Sequence, residues 1–149
     1  MRADLLFVAG LLVAGCCLTC CRRTKAADIA SAPEAALIDG RTLRPRAELW
    51  RDFQPVAPPD GQPMMAIAGL VADDDLPLPE DITIDRLWVL NGDEQWAPKP
   101  AAGADRLTVH AADGPKWGPG ISVDVVLRIA RGKQTWLVRA PGVPIKRTD

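Results

Sequence analysis

The sequence contains few of the side chains that catalytic sites commonly use. Among 149 residues there are one His, two Ser and no Tyr. The charge is also balanced, since 18 Lys+Arg face 19 Asp+Glu and the net charge is −1. A protein that follows a phosphate backbone needs an excess of positive charge, so this composition argues against nucleic-acid binding. We therefore expect a non-enzymatic protein with no cofactor and no metal site.

Cysteine is absent from most of the chain, because all four Cys lie between positions 16 and 21. A domain that follows these positions has no structural disulfide, so its own core must stabilise it. Hydrophobic residues make up 48% of the chain and charged residues 25%, which is typical of a globular protein. The length corresponds to about one domain with a short extension.

The longest apolar run near the N-terminus covers residues 5–15 and follows a short head that contains Arg2. A run of this length is typical of the apolar region of a secretory signal and is short for a transmembrane helix. The run ends in Val13, Ala14 and Gly15, which are followed directly by Cys16.

This ending resembles the lipobox of bacterial lipoproteins, in which an aliphatic residue and two small residues precede the modified Cys. The resemblance implies that signal peptidase II recognises Val13, Ala14 and Gly15, cleaves after Gly15, and leaves Cys16 joined to diacylglycerol. Two acyl chains are sufficient for a stable membrane anchor. By the same analogy, Cys17 in place of Asp favours the outer membrane over retention at the inner membrane.

A second interpretation of this segment stays open. Residues 5–21 form a 17-residue stretch at the lower limit of transmembrane length. Arg22 and Arg23 follow it and would keep the domain in the cytoplasm, as a single-pass membrane protein. Arg22, Arg23 and Lys25 also form the one basic cluster of the sequence, which suits anionic lipid head groups or a solvated linker equally well.

The roles of Cys17, Cys20 and Cys21 are not determined by the sequence. Cys17 and Cys20 have the spacing of a metal-binding or thiol-redox pair. A zinc site would need two more soft ligands, and only His110 is present elsewhere. We interpret these Cys as small apolar residues beside the anchor.

The remaining chain divides into a tether and a domain. Residues 16–42 are rich in Ala, contain Pro33 and show no periodic apolar face, so we predict a lipidated N-terminus and flexible tether after a signal peptide at residues 1–15. Residues 43–149 are predicted to form an all-β domain. Residues 121–130 and 106–111 alternate apolar and polar residues, as strands with one buried face do, whereas residues 64–72 are apolar on both faces, as in a central strand. The predicted strands are residues 64–72, 82–90, 106–111, 121–130, 134–140 and, at an edge, 143–147.

Several short strands separated by turn-rich stretches are typical of an antiparallel β-sandwich. The pattern resembles the small immunoglobulin-like domains of bacterial surface lipoproteins, and this resemblance concerns architecture alone. The best helix candidate is residues 46–53, because Leu49, Trp50 and Phe53 would share one side of a helix.

Tryptophan supplies the candidate binding residues. Trp88 and Trp136 lie in predicted strands and are assigned to the core, with Trp88 at the centre of the sandwich. Trp96 and Trp117 lie in loops beside Pro or Gly. Each is either a stacking platform for a sugar ring or partner side chain, or a plug at the end of the sandwich. Residues 114–120, with Lys116 beside Trp117, are the first choice for a functional loop.

Two further clusters have both a functional and a structural interpretation. Ser122, Asp124 and His110 would need to converge to form a nucleophilic triad, but no Gly-x-Ser-x-Gly elbow is present in the sequence. Polar residues on a solvated sheet face explain all three positions, and we interpret them so.

Asp73, Asp74 and Asp75 could offer oxygen ligands to Ca²⁺, yet their spacing differs from that of an EF-hand loop. Consecutive acidic residues in a loop before Pro77 are more often a solubilising turn, and we interpret them so.

We therefore expect an extracytoplasmic, lipid-anchored lipoprotein of the cell envelope with a non-enzymatic binding, adaptor or structural role. Its partners would be the membrane, through the lipid on Cys16, and an envelope protein or glycan. The alternatives are a glycan-binding module or an envelope enzyme that uses the loops near Trp96 and Trp117.

Overall fold

The computed structural model describes residues 26–103 and 105–149. In these ranges the chain forms one short helix and nine strands: α1 (Ala26–Ala30), β1 (Ala36–Ile38), β2 (Arg41–Asp52), β3 (Met64–Ala72), β4 (Thr83–Asn91), β5 (Glu94–Trp96), β6 (Ala101–Ala102), β7 (Thr108–Gly114), β8 (Ser122–Arg131) and β9 (Gln134–Thr148). The predicted all-β class is confirmed.

The strands form two layers that one long strand joins. One layer has the order β2-β3-β7-β6 and the other has the order β5-β4-β8-β9. The first part of β9 pairs antiparallel with β8, and its last four residues, beginning at Ile145, pair parallel with β2. β1 pairs with the start of β2. The result is one curled sheet whose two halves face each other as in a sandwich.

The main core lies between the two layers and is built from the inward residues of each strand. Alternation at period two places every second side chain on this inner face. The largest side chains that are fully buried are Leu43, Leu49, Met64, Ile82, Leu87, Leu127, Ile129 and Ile145. The predicted strands at residues 64–72, 82–90 and 121–130 correspond to β3, β4 and β8.

A second, smaller cluster covers the outer face of the β4–β8–β9 layer. Ile29 and Ala32 pack there against Trp88 and Val126, and all four are buried. The prediction that Trp88 fills the centre of the sandwich is therefore wrong. Trp88 is buried because the N-terminal segment covers it from outside.

The same contacts correct the predicted tether. Residues 26–42 carry α1, β1 and the first residues of β2, and they bury Ile29, Ala32, Ala36 and Ile38. The chain joins the folded domain by residue 26 and not at residue 43. Only residues 16–25 of the predicted tether lie outside the described residues.

Two further predictions are wrong because pairing partners were not visible in the sequence. Of the helix candidate at residues 46–53, residues 46–52 form the end of β2, where Leu49 and Arg51 point inward and Trp50 points outward. Residues 143–147 do not form an edge strand, since they belong to β9 and lie between β8 and β2. No helix among the described residues combines the length and apolar character needed to cross a bilayer.

Candidate functional site

Arg51 is the one buried charged side chain in the part of the chain that the structure describes, with 3% of its surface exposed. It lies near the end of β2 and points toward the end of the sandwich where two loops meet. Alternation along β2 places it on the inward face together with Leu49. A guanidinium at such a position must find compensating partners, because burying an unpaired charge is costly.

The partners of Arg51 are four backbone carbonyl groups from two loops. From the loop after β2, the carbonyl of Gln62 accepts a hydrogen bond from Nε at 2.9 Å, and the carbonyl of Asp60 accepts from Nη2. From the loop after β7, the carbonyls of Lys116 and Gly118 accept from Nη1 at 3.1 and 2.7 Å. Only Arg carries enough N–H donors in a planar fork to reach all four acceptors. Arg51 therefore ties the two loops together.

The ring of Phe53 lies beside Arg51. We call Arg51, Phe53, Asp60, Gly61 and Lys116 the loop cluster. The Phe53 ring lies 4.0 Å from the Arg147 guanidinium carbon and 5.1 Å from that of Arg51, measured to the ring centroid. On the loop side the ring lies against Gly61, where an added Cβ would come within 2.6 Å of ring atoms. Gly61 also has a positive φ of 76°. The ring is thus held between two cations and a glycine backbone.

Lys116 lies in the predicted functional loop, and its side chain is paired with the opposite loop. The Nζ atom lies 2.6 Å from a carboxylate oxygen of Asp60. The hydrogen bond from Lys116 lowers the pKa of Asp60, while partial desolvation acts in the opposite direction. This pair is solvent-exposed, so its contribution to stability is small. It links the same two loops as Arg51 does.

Trp117 and Trp96 are both half-buried and pack against the main core. Trp96 lies on Gly114, where an added Cβ would come within 2.9 Å of the ring. Neither ring stands free as an exposed stacking surface, so the geometry favours the plug over the platform. The structure brings Lys116 and Trp117 together on one loop and places Trp96 on the neighbouring strand β5.

The residues of the possible triad are not brought together. His110 lies on β7, between Ile67 of β3 and Ala101 of β6, whereas Ser122 and Asp124 lie on β8 in the other layer. Asp124 instead accepts hydrogen bonds from Arg139 at 3.1 Å and from the Gly142 amide at 2.9 Å. The solvated-face interpretation accounts for these residues.

Two of the three Asp residues after β3 form ion pairs with arginines. Asp74 accepts hydrogen bonds from Arg41 at 2.6 and 2.7 Å, and Asp73 accepts from Arg44 at 2.9 Å. The hydrogen bond from Arg41 lowers the pKa of Asp74 to about 2. Within residues 26–103 and 105–149, no group of three or more His, Cys, Asp or Glu side chains is arranged to hold a metal ion.

Arg51 was not predicted as a site residue, because the apolar residues around it, Leu49, Trp50 and Phe53, match the spacing of a helix. An Arg at an inward strand position is visible only once the strand is recognised, since the pattern at Leu43, Ala47 and Leu49 then continues to residue 51. The predicted lipidation residue Cys16 and the recognition residues Val13, Ala14 and Gly15 lie outside the described residues.

Comparison with known proteins gives no relative from which a function could be transferred. No family model, curated protein sequence or solved structure matches this chain at a significant level.

Proposed function

We propose that the protein is a lipid-anchored lipoprotein of the cell envelope with a non-enzymatic binding or adaptor role. The observation that carries this proposal is the apolar run that ends in Val13, Ala14 and Gly15 directly before Cys16. Modification of Cys16 with two acyl chains would anchor the chain stably. The domain would then lie outside the cytoplasm, with the outer membrane favoured because Cys17 follows the modified residue.

The position at which the chain joins the domain supports a location close to the membrane. Nine residues lie between Cys16 and Ala26, the first residue of α1. Even fully extended, the ten residue steps from Cys16 to Ala26 span at most about 35 Å. The start of α1 would therefore stay within about 35 Å of the lipidated residue, and Arg22, Arg23 and Lys25 would lie near anionic head groups.

The loop cluster supports a binding role over catalysis. Arg51 donates all its described hydrogen bonds to backbone carbonyls, and Lys116 is paired with Asp60. These side chains hold two loops in place, and a rigid scaffold of this kind is what surface binding requires.

The strand order supports the immunoglobulin-like part of the proposal. If the strands from β2 to β9 are lettered A, B, C, C′, D, E, F and G, the two layers have the orders A-B-E-D and C′-C-F-G. This is the order found in immunoglobulin-type sandwiches. Such domains have many functions, so the order supports the architecture and not a particular partner.

The proposal is tested by the intact mass of the protein purified from its native membrane. We expect a chain that begins at Cys16 and carries acyl chains, and we expect both features to be lost in Cys16→Ala. Cys17→Ala is the matched control and should be processed normally. A wild-type chain that retains residues 1–15 and carries no lipid would contradict the proposal. Residues 5–21 would then be a membrane anchor with the domain in the cytoplasm.

A further inference from the structure

The outer face of the β2–β3–β7 layer carries an apolar stripe along β3. Met65, Ile67 and Val71 point outward, and Met65 and Val71 are 40% and 42% exposed. β3 lies in the middle of its layer, between β2 and β7. An outward face at the centre of a sheet is usually polar when it contacts only water, so a stripe of this kind indicates an interaction surface.

Gly69 interrupts the stripe and leaves a hollow in it. An added Cβ would lie 3.0 Å from the Leu107 carbonyl oxygen, a tight contact with the neighbouring chain, so glycine is the residue that fits here without a shift. The hollow has a volume of about 200 Å³, and its walls include Ile67, Val71 and Thr108.

Two opposite charges stand beside the hollow on the adjacent strand. Arg46 pairs in register with Gly69, and Glu48 pairs with Ile67. Both side chains are exposed. No hydrogen bond or ion pair of Arg46 occurs with any residue the structure describes, and Glu48 has only a distant partner, Lys146, at 3.8 Å.

We propose that this face binds a second copy of the same chain. A two-fold axis that lies in the plane of the interface, perpendicular to the strands, places each strand opposite its own copy and reverses the order of residues along it. If the axis passes at the level of Ala47 and Ala68, which are paired in register, Ile67 of one copy lies opposite Gly69 of the other. Arg46 likewise lies opposite Glu48. Each contact then occurs twice, as in any isologous interface.

The same axis also makes the surrounding residues complementary. Met65 of one copy lies opposite Val71 of the other, which joins the two apolar ends of the stripe. Trp50, which pairs with Met65, lies opposite Arg44, whose guanidinium is already paired with Asp73 of its own chain at 2.9 Å. In this arrangement Ile67 of one copy lies at the hollow of the other, and Arg46 of one copy lies opposite Glu48 of the other. The remaining apolar residues of the two stripes contact each other. This pairing does not depend on the lipid anchor.

Charge reversal tests the pairing in the full chain, purified in detergent and measured by sedimentation equilibrium at matched solvent density. Arg46→Glu would place a new carboxylate beside Glu48 of the second copy at two symmetric points, and Glu48→Arg would place two cations together. We expect each single variant to raise the dimer dissociation constant by about tenfold or more. The double variant Arg46→Glu/Glu48→Arg restores opposite charges across the axis and should restore the dimer.

Lys99→Glu is the matched control, because Lys99 is exposed but lies on the loop after β5, away from this face. It should dimerise as the wild type does. A wild type that stays monomeric at the highest concentration overturns the proposal. So does a dimer that neither single reversal weakens, since association would then occur through the N-terminal segment or another surface. Far-UV circular dichroism of every variant separates loss of the interface from loss of the fold.

Discussion

Replacement of Arg51 by Met tests how the two loops are held. Met keeps an unbranched apolar stem but removes every donor to the carbonyls of Asp60, Gln62, Lys116 and Gly118. Hydrogen bonds to a charged group contribute about 1.5–3 kcal/mol each. Part of the stabilisation lost with these hydrogen bonds is offset. The guanidinium no longer has to be buried, and the carbonyls can regain hydrogen bonds to water when the loops open.

We therefore expect Arg51→Met to lower the free energy of unfolding by about 3 kcal/mol. This is a large part of the roughly 5–15 kcal/mol that stabilises a typical domain, and it corresponds to a drop in Tm of roughly 10 °C. Urea unfolding measures the free energy, and Arg86→Met is the control. The side chain of Arg86 is exposed on β4 and makes no hydrogen bond or ion pair within the described residues, so its replacement should change stability by no more than about 0.5 kcal/mol.

Hydrogen exchange shows whether the effect of Arg51→Met arises at the loops. The Gln62 amide donates to the Asp52 carbonyl at 2.8 Å, and the Gly120 amide donates to the Ile145 carbonyl at 3.1 Å. Both amides should lose protection in the variant before the strands do. A variant within about 0.5 kcal/mol of the wild type, with protection unchanged at both amides, would refute the idea that Arg51 ties the loops.

Three further outcomes follow from other contacts. Arg41 lowers the pKa of Asp74 to about 2. The stabilisation from this pair is therefore present above the unfolded pKa of roughly 4 and is lost as the pH falls toward 2. Asp74→Asn should remove this contribution, so that Tm falls less steeply between these pH values. Ile29→Ala should cost about 2–4 kcal/mol in urea unfolding, because Ile29 is buried against Trp88, whereas a flexible tether would tolerate the change. Gly61→Ala should destabilise by about 1 kcal/mol or more, since its Cβ would clash with the ring of Phe53 and its φ is positive.

Each of these changes has a matched control. Asp93→Asn alters an exposed carboxylate that has no ion pair in the described ranges, and it should leave the acid limb of the Tm profile unchanged. Leu37→Ala alters a side chain that is 68% exposed, so a loss equal to that of Ile29→Ala would contradict the packing of α1. Gly92→Ala has a positive φ but nothing within 4 Å of the added Cβ, so Gly61→Ala should cost more.

The strands of the core were predictable because their signal is local. Residues 64–72, 82–90 and 121–130 alternate or run apolar, and each becomes a strand within one residue of the predicted bounds. Period-two alternation follows from the geometry of a single strand and does not depend on which strand lies beside it. The two layers and the all-β class follow from several such segments separated by turns.

The candidate site was predictable only in part. The loop with Lys116 and Trp117 could be selected because Pro and Gly mark it in the sequence. Arg51 could not be selected from the sequence. Its role depends on carbonyl groups that are distant in the chain and are brought together by the fold. A charged residue at an inward position also breaks the apolar pattern from which strands are recognised.

The sequence by itself determined the positions of β3, β4 and β8, the absence of disulfides after Cys21 and the N-terminal resemblance to a lipobox. Only the tertiary structure decided which outer face is covered. Ile29 and Ala32 pack over Trp88, which lies about sixty residues further along the chain. This contact buries their apolar surface and joins the N-terminal segment to the domain. Local patterns specify a residue's own conformation, whereas burial depends on contacts between segments that are far apart in sequence.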